Sequence, residues 1–197
     1  MSQPSEVPLS SPAPTGSPPE YSFEERQLLL QIARESIVSL LEGRELPLFT
    51  PSLHLSEPRG VFTTLHSNGH LRGCVGYPAA LVPLYRATME TARAAAIDDP
   101  RFAPLALAEV FEIEISLSVL SPLVPVTAEE VQVGLHGMMI SDGRCRGLLL
   151  PQVPTEQGWD RVTFLEQTCR KAGLPPDAWQ RGAKIEAFTA EVFTDRE

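Results

Sequence analysis

The stretch HLRGCVGYP at 70–78 holds the side chains best suited to covalent chemistry. Cys74 stands two residues after Arg72 and four after His70, with Gly73 before it and Gly76 two residues on. The thiolate is the reactive form of cysteine, and a nearby guanidinium favours it. Flanking glycines let a ligand approach the backbone closely. On this reading Cys74 is a nucleophile or redox thiol, Arg72 its cation, and Gly73 and Gly76 part of a binding surface. The plainer reading is a small, inert, buried cysteine whose neighbours are glycine for steric reasons.

Other candidates are dispersed. His136, in GLHGMMI, suits a general base or ligand in a cleft, or a hydrogen-bonded structural histidine. His54 and His66 are expected in loop and surface positions. Arg101, in DDPRF, follows a helix stop and would either hold an anion or pair with the local aspartates. Glu114 shares a strand face with Glu112 and Ser116; such carboxylates do acid–base work or are simply solvated. Gln152 follows an apolar strand end, where loops often carry binding groups. Cys145 and Cys169 are expected to be structural, Cys169 by continuing the helical stripe of Val162 and Leu165. No C-x-x-C or H-E-x-x-H occurs, so no metal site of sequence-local ligands is expected, and no cofactor. A phosphate-binding glycine loop and a G-x-S-x-G elbow are likewise missing, which disfavours ATP hydrolysis and serine-hydrolase chemistry.

The elements that must position these groups follow from pattern. Residues 1–20, rich in Pro and Ser, read as a disordered tail, and residues 21–197 as a single domain. Ser22 with Glu25 forms a capping box ahead of Leu29, Ile32, Ala33, Ser36, Ile37, Leu40 and Leu41 at helical spacing, and Gly43 ends that helix. Asn68-Gly69 between two strand-like runs predicts a hairpin in which Ser67 pairs with His70, Leu65 with Arg72, and Thr63 with Cys74. His70, Arg72 and Cys74 would then share a face with Leu65, Thr63 and Val61, while Phe62, Leu71 and Val75 turn to the core. A helix with Pro83 in its first turn ends at Asp99-Pro100. A half-buried strand follows, with Phe111, Ile113, Ile115, Leu117 and Val119 on its apolar face.

The second half repeats this order: a hairpin at Asp142-Gly143, a helix capped by Asp160 and ended at Gly173, and a last strand in KIEAFTAEVF. NGHLRG lies over DGRCRG at an offset of 74 residues, from Gly69 to Gly143. Two ββαβ units, about 60–122 and 134–194, are expected from duplication. Arg72-Gly73 recurs as Arg146-Gly147, which makes that pair architectural, whereas Cys74 is replaced by Leu148.

The formal net charge of −9 argues against binding nucleic-acid backbones or anionic lipid. No apolar run is long enough to span a bilayer, and no secretion signal is visible. Three cysteines without framework spacing fit a reducing compartment, and a cytoplasmic location is expected.

At LRGCVG, DPRF, EISLSVLSP, LHGMMI, GLLLPQV and KAGLPPDAW the sequence closely resembles the AMMECR domain family, also called AmmeMemoRadiSam system protein A. The resemblance covers about residues 22–195 and implies an α+β protein of two lobes, with mainly antiparallel sheets, packing helices and a cleft between them. It carries the family's cysteine onto Cys74, its arginine onto Arg72, its H-G pair onto His136 and Gly137, its L-P-Q onto Pro151 and Gln152, and its D-P-R-F onto Asp99 to Phe102. Val75, Tyr77 and Pro78 depart from the family pattern at the lip of the site. What the resemblance implies is a cysteine-dependent enzyme acting on a small molecule in the inter-lobe cleft, with catalytic residues Cys74, Arg72 and His136. The alternatives are a non-catalytic adaptor working with the Memo-like and radical-SAM proteins often encoded beside family members, and a redox-regulated sensor.

Overall fold

The computed structural model describes residues 19–196. Most of the tail expected over 1–20 lies outside the described residues; at its end Glu20 donates its amide to the Glu191 carboxylate at 2.7 Å. Helix α1 (Phe23–Glu42) begins at the reciprocal capping box of Ser22 and Glu25 and ends at Gly43, φ 66°. Its buried stripe of Leu29, Leu30, Ile32, Ala33 and Ile37 faces the core. Each such leucine or isoleucine contributes about 1.5–3 kcal/mol by leaving water.

Two four-stranded antiparallel sheets follow, in an α+β arrangement. The chain runs β1 (Gly60–Ser67), β2 (His70–Tyr77), α2 (Leu84–Ile97), β3 (Glu114–Leu120), β4 (Val124–Pro125), β5 (Gly137–Asp142), β6 (Cys145–Leu149), α3 (Gln152–Glu156), α4 (Arg161–Lys171), β7 (Lys184–Phe188) and β8 (Ala190–Thr194). Strand orders are β2-β1-β3-β8 and β4-β7-β5-β6. β4 follows β3 in sequence yet pairs with β7, while β8 follows β7 and pairs with β3. Each half therefore gives its last strand to the other half's sheet.

The first hairpin turns as predicted, with Asn68 at φ 50° and Gly69 at φ 76°. Its register differs. Ser67 meets His70 and His66 meets Leu71, but a bulge then sets Leu65 against Gly73 and Thr64 against Cys74. Arg72 is the extra residue of the bulge, and a slip of one position exchanges the faces of everything beyond it. Val61, Thr63 and Leu65 are fully buried, and the Thr63 hydroxyl meets that of Thr91 on α2 at 2.8 Å. The helices thus cover the face of Val61, Thr63, Leu65, Gly73 and Val75. Phe62, Thr64 and His66 share the outer face with Cys74. The expected grouping of His70, Arg72 and Cys74 with Leu65, Thr63 and Val61 is overturned, and Phe62 and Leu71 are not core residues. Val75 does pack against the core, as expected.

β3 buries Ile115, Leu117 and Val119 as its alternation predicts, but Phe111 precedes the strand and is 71% exposed. The larger core joins α1, α2 and the first sheet. The smaller one gathers Met138, Ile140, Phe164, Leu165, Cys169 and Ile185 beneath α4, while Val162 lies exposed on that helix. Gly73 and Gly147 hold matching places in the two halves. A Cβ on Gly73 would lie 2.2 Å from the Ala95 carbonyl oxygen, and one on Gly147 2.3 Å from the Ala172 nitrogen. In each half the helix ends against a strand at a point where only glycine fits.

Candidate functional site

Cys74 lies half-buried on β2, the edge strand of the first sheet, and its thiol faces outward from the helices. The Thr64 hydroxyl, directly across on β1, donates to Cys74 Sγ at 3.4 Å. The register continues this row through Ser116 on β3 to Thr194 on β8. A thiol and three hydroxyl residues thus cross all four strands on one face.

The backbone of Cys74 is held from the side on which the edge has no further strand. Its amide donates to Asp99 Oδ2 at 2.8 Å, and its carbonyl accepts from Arg101 Nη2 at 3.4 Å. Asp99 and Arg101 are themselves paired through Arg101 Nε to Oδ1 at 2.9 Å and Nη2 to Oδ2 at 2.6 Å. The pair supplies one acceptor and one donor, as a neighbouring strand would, and so satisfies an edge that would otherwise be open. The Arg101 guanidinium holds the Asp99 carboxyl well below the usual carboxylate range, helped by the amides of Cys74 and Arg101 and opposed by burial. Of the two sequence readings of Arg101, pairing with an aspartate is the one observed. Its side chain remains 54% exposed and lies over the Phe102 ring at 5.4 Å.

Arg72 does not serve Cys74. From the bulge it reaches Glu109, Nε to Oε1 at 3.0 Å and Nη2 to Oε2 at 3.2 Å, and donates to the Ala103 carbonyl at 2.9 Å. That pairing lowers the Glu109 pKa. The cation beside the cysteine is Arg101, brought there from beyond α2. Gly73 and Gly76 also differ from expectation: the space above them is filled by the Ala95 carbonyl and the Phe62 ring, the latter 2.2 Å from a Cβ built on Gly76. Their missing side chains accommodate the protein itself.

His136, just before β5, accepts at Nδ1 from the Gln132 amide at 3.2 Å, and its own amide donates to the Gln132 carbonyl at 2.9 Å. No hydrogen bond among the described residues joins it to Cys74, Arg72 or Arg101. Gln152 opens α3 with its Oε1 buried and unpartnered. Glu114 opens β3, directly across from His66. His66 is a strand residue of the thiol-bearing face, with a buried Nδ1 that has no hydrogen-bond partner, and the loop assignment for it is corrected. The signal that would have found it is the alternation Phe62, Thr64, His66 along β1, read with Val61, Thr63 and Leu65 as core. Cys145 is exposed, against expectation; Cys169 is buried, and burial pushes its thiol pKa up.

Two of the surface hollows formed by the described residues are notable. One of about 70 Å³ lies between Arg59, Pro78, Leu120 and Pro122. The other, about 250 Å³, runs along α1 between Gln27, Arg34 and Asp195. Neither is lined by Cys74, His136 or Gln152. Among the described residues no cluster of metal-ligating side chains occurs, and no helix is long and apolar enough to cross a membrane.

Comparison with known proteins places this geometry in company. The sequence model described as AMMECR1 matches residues 30–193. A protein of Methanopyrus kandleri is 43% identical over 190 residues, which cover 90% of this chain and 92% of its own. A Thermococcus onnurineus protein is 45% identical over 184 residues, 86% of this chain and 89% of its own. The crystal structure of an uncharacterized protein from Pyrococcus horikoshii is similar at a TM-score of 0.78 and 41% identity, covering 88% of this chain and 92% of that one.

Proposed function

This chain belongs to the AMMECR1 family, and from that premise we propose that it is an enzyme whose reacting group is the Cys74 thiol. The substrate is a small molecule bound on the outer face of the first sheet. The observation that carries the reading is the hydrogen bond from Thr64 to Sγ beside a backbone clamped by Asp99 and Arg101. A hydroxyl donating to sulfur favours the thiolate over the thiol. The clamp fixes the strand at the reacting residue, and a guanidinium with half its surface open can attract an anionic group. In this reading Arg101 takes the role expected of Arg72, and His136 has no contact that supports a proton-transfer role.

Alkylation of the native protein at neutral pH tests the reading, with sites mapped by mass spectrometry. Cys74 is expected to react faster than the exposed Cys145 despite being less accessible. A Cys74 that reacts more slowly than Cys145, or only after unfolding, overturns it.

One observation favours the adaptor reading. Substrate pockets typically enclose about 300–1,000 Å³, and the two hollows described above, of about 70 and 250 Å³, are smaller than that and are not lined by Cys74. A shallow polar sheet face suits recruitment of another protein, and the Memo-like and radical-SAM proteins are the partners the family resemblance suggests. Co-purification with either, together with a Cys74→Ser variant that fully supports the pathway, would favour this alternative.

A further inference from the structure

We propose that His66 is the base that takes the proton of Cys74, with Glu114 positioning its ring; this rests on Cys74 being the reacting group. The unbroken pairing of β1 with β3 sets His66 directly across from Glu114 and Thr64 across from Ser116. On the other side Cys74 is opposite Thr64. Cys74 and His66 therefore lie on one face, with Cys74 across from the residue two before His66 and the bulge between their pairing positions.

The second observation is independent of the cysteine. His66 Nδ1 is buried and has no hydrogen-bond partner. Leaving such a group unpaired forfeits the hydrogen bond that water would have given it. An orphaned polar atom in a native structure calls for a reason, and a role in proton transfer is one. Its neighbours leave few competitors. Leu71 faces it from β2 and Glu114 from β3. His70 Nδ1 is engaged with the Asn68 carbonyl, Arg72 with Glu109, and Arg101 with Asp99. The Glu114 carboxylate makes no hydrogen bond among the described residues.

The step is a proton transfer that conserves charge. The proton leaves Cys74 Sγ for a ring nitrogen of His66, producing a thiolate and an imidazolium. The Thr64 hydroxyl donates to the thiolate, and the Glu114 carboxylate accepts from the second N–H of the imidazolium. Glu114 acts through His66, so it is a positioning residue.

The test is the rate of iodoacetamide alkylation of Cys74 in the full chain between pH 5 and 9, with exposed Cys145 as internal reference. The wild type should retain fast Cys74 labelling at pH 6. His66→Gln should slow it there by about tenfold or more. Glu114→Gln should slow it by less, about threefold, and Glu114→Asp should restore it. Wild-type protein gives a readout that needs no variant to fold: capping Cys74 with the neutral acetamide should lower the NMR titration midpoint of His66, because the partner thiolate is gone. A fast Cys74 that is unchanged in His66→Gln, or a His66 titration indifferent to capping, overturns this inference alone. A wild-type Cys74 slower than Cys145 overturns it together with the reading on which it rests.

Discussion

In the first sheet β2-β1-β3 sets Gly73 under the end of α2, and in the second β6-β5-β7 sets Gly147 under the end of α4. The two halves thus share strand order, helix placement and a glycine at the same contact. They part company on the other face. The row after the glycine reads Cys74–Thr64–Ser116 in the first sheet and Leu148–Met139–Glu186 in the second. The comparison teaches that one scaffold accommodates two kinds of outer face, because residues there do not hold the helices. A thiol stands on one outer face and an aliphatic side chain on the other without disturbing the packing of either half.

The deepest shared feature is the core, and the smaller half has less of it to lose. Phe164→Ala, which empties the fully buried centre of the smaller core, should cost about 4 kcal/mol in chemical denaturation. It should also broaden or split the transition if the halves unfold separately. Gly73→Ala and Gly147→Ala should each cost about 3 kcal/mol, since either Cβ meets helix backbone rather than a movable side chain. Equal losses sharpen the equivalence of the halves; a neutral result at one site breaks it.

Smaller effects probe what is particular to the first sheet. Asp99→Asn should cost about 2 kcal/mol at neutral pH, the loss of charge-assisted hydrogen bonds to Arg101 and to the Cys74 amide. Because the folded Asp99 carboxyl titrates below its unfolded counterpart, its contribution is complete above about pH 5 and fades as pH falls below about 4. The difference between variant and wild type should therefore shrink on acidification, as pH-dependent melting will report. Arg72→Ala, which removes a partly buried ion pair with Glu109 and a bond to the Ala103 carbonyl, should cost about 1 kcal/mol and leave the alkylation rate of Cys74 unchanged. Leu148→Cys, the smallest expected effect, places a thiol at the matching point of the second sheet. It should label no faster than Cys145 because no hydroxyl faces it there: its partner is Met139.

Local chemistry made much of this legible. Ser22 with Glu25, Asn68-Gly69, Asp160 and the alternation from Ile113 to Val119 name their elements directly, because caps, turns and half-buried strands are decided by near neighbours. The recurrence of Arg-Gly pointed to two like units and to a structural glycine. Arg72 beside Cys74 was misleading for a local reason as well. A bulge adds one residue between a hairpin's turn and its body, and no residue type in HLRG announces it.

From the amino-acid order alone came the two ββαβ halves, the helix ends, the turns and the singular cysteine, all governed by interactions within a few residues. Tertiary structure alone decided the rest: the face on which Cys74 lies, the placing of Arg101 rather than Arg72 at its backbone, the pairing of His66 with Glu114 across β1 and β3, and the exchange of β4 and β8 between sheets. These depend on which core-facing side chains win burial and where an edge strand finds its missing partners. Both are settled by residues far apart in the chain.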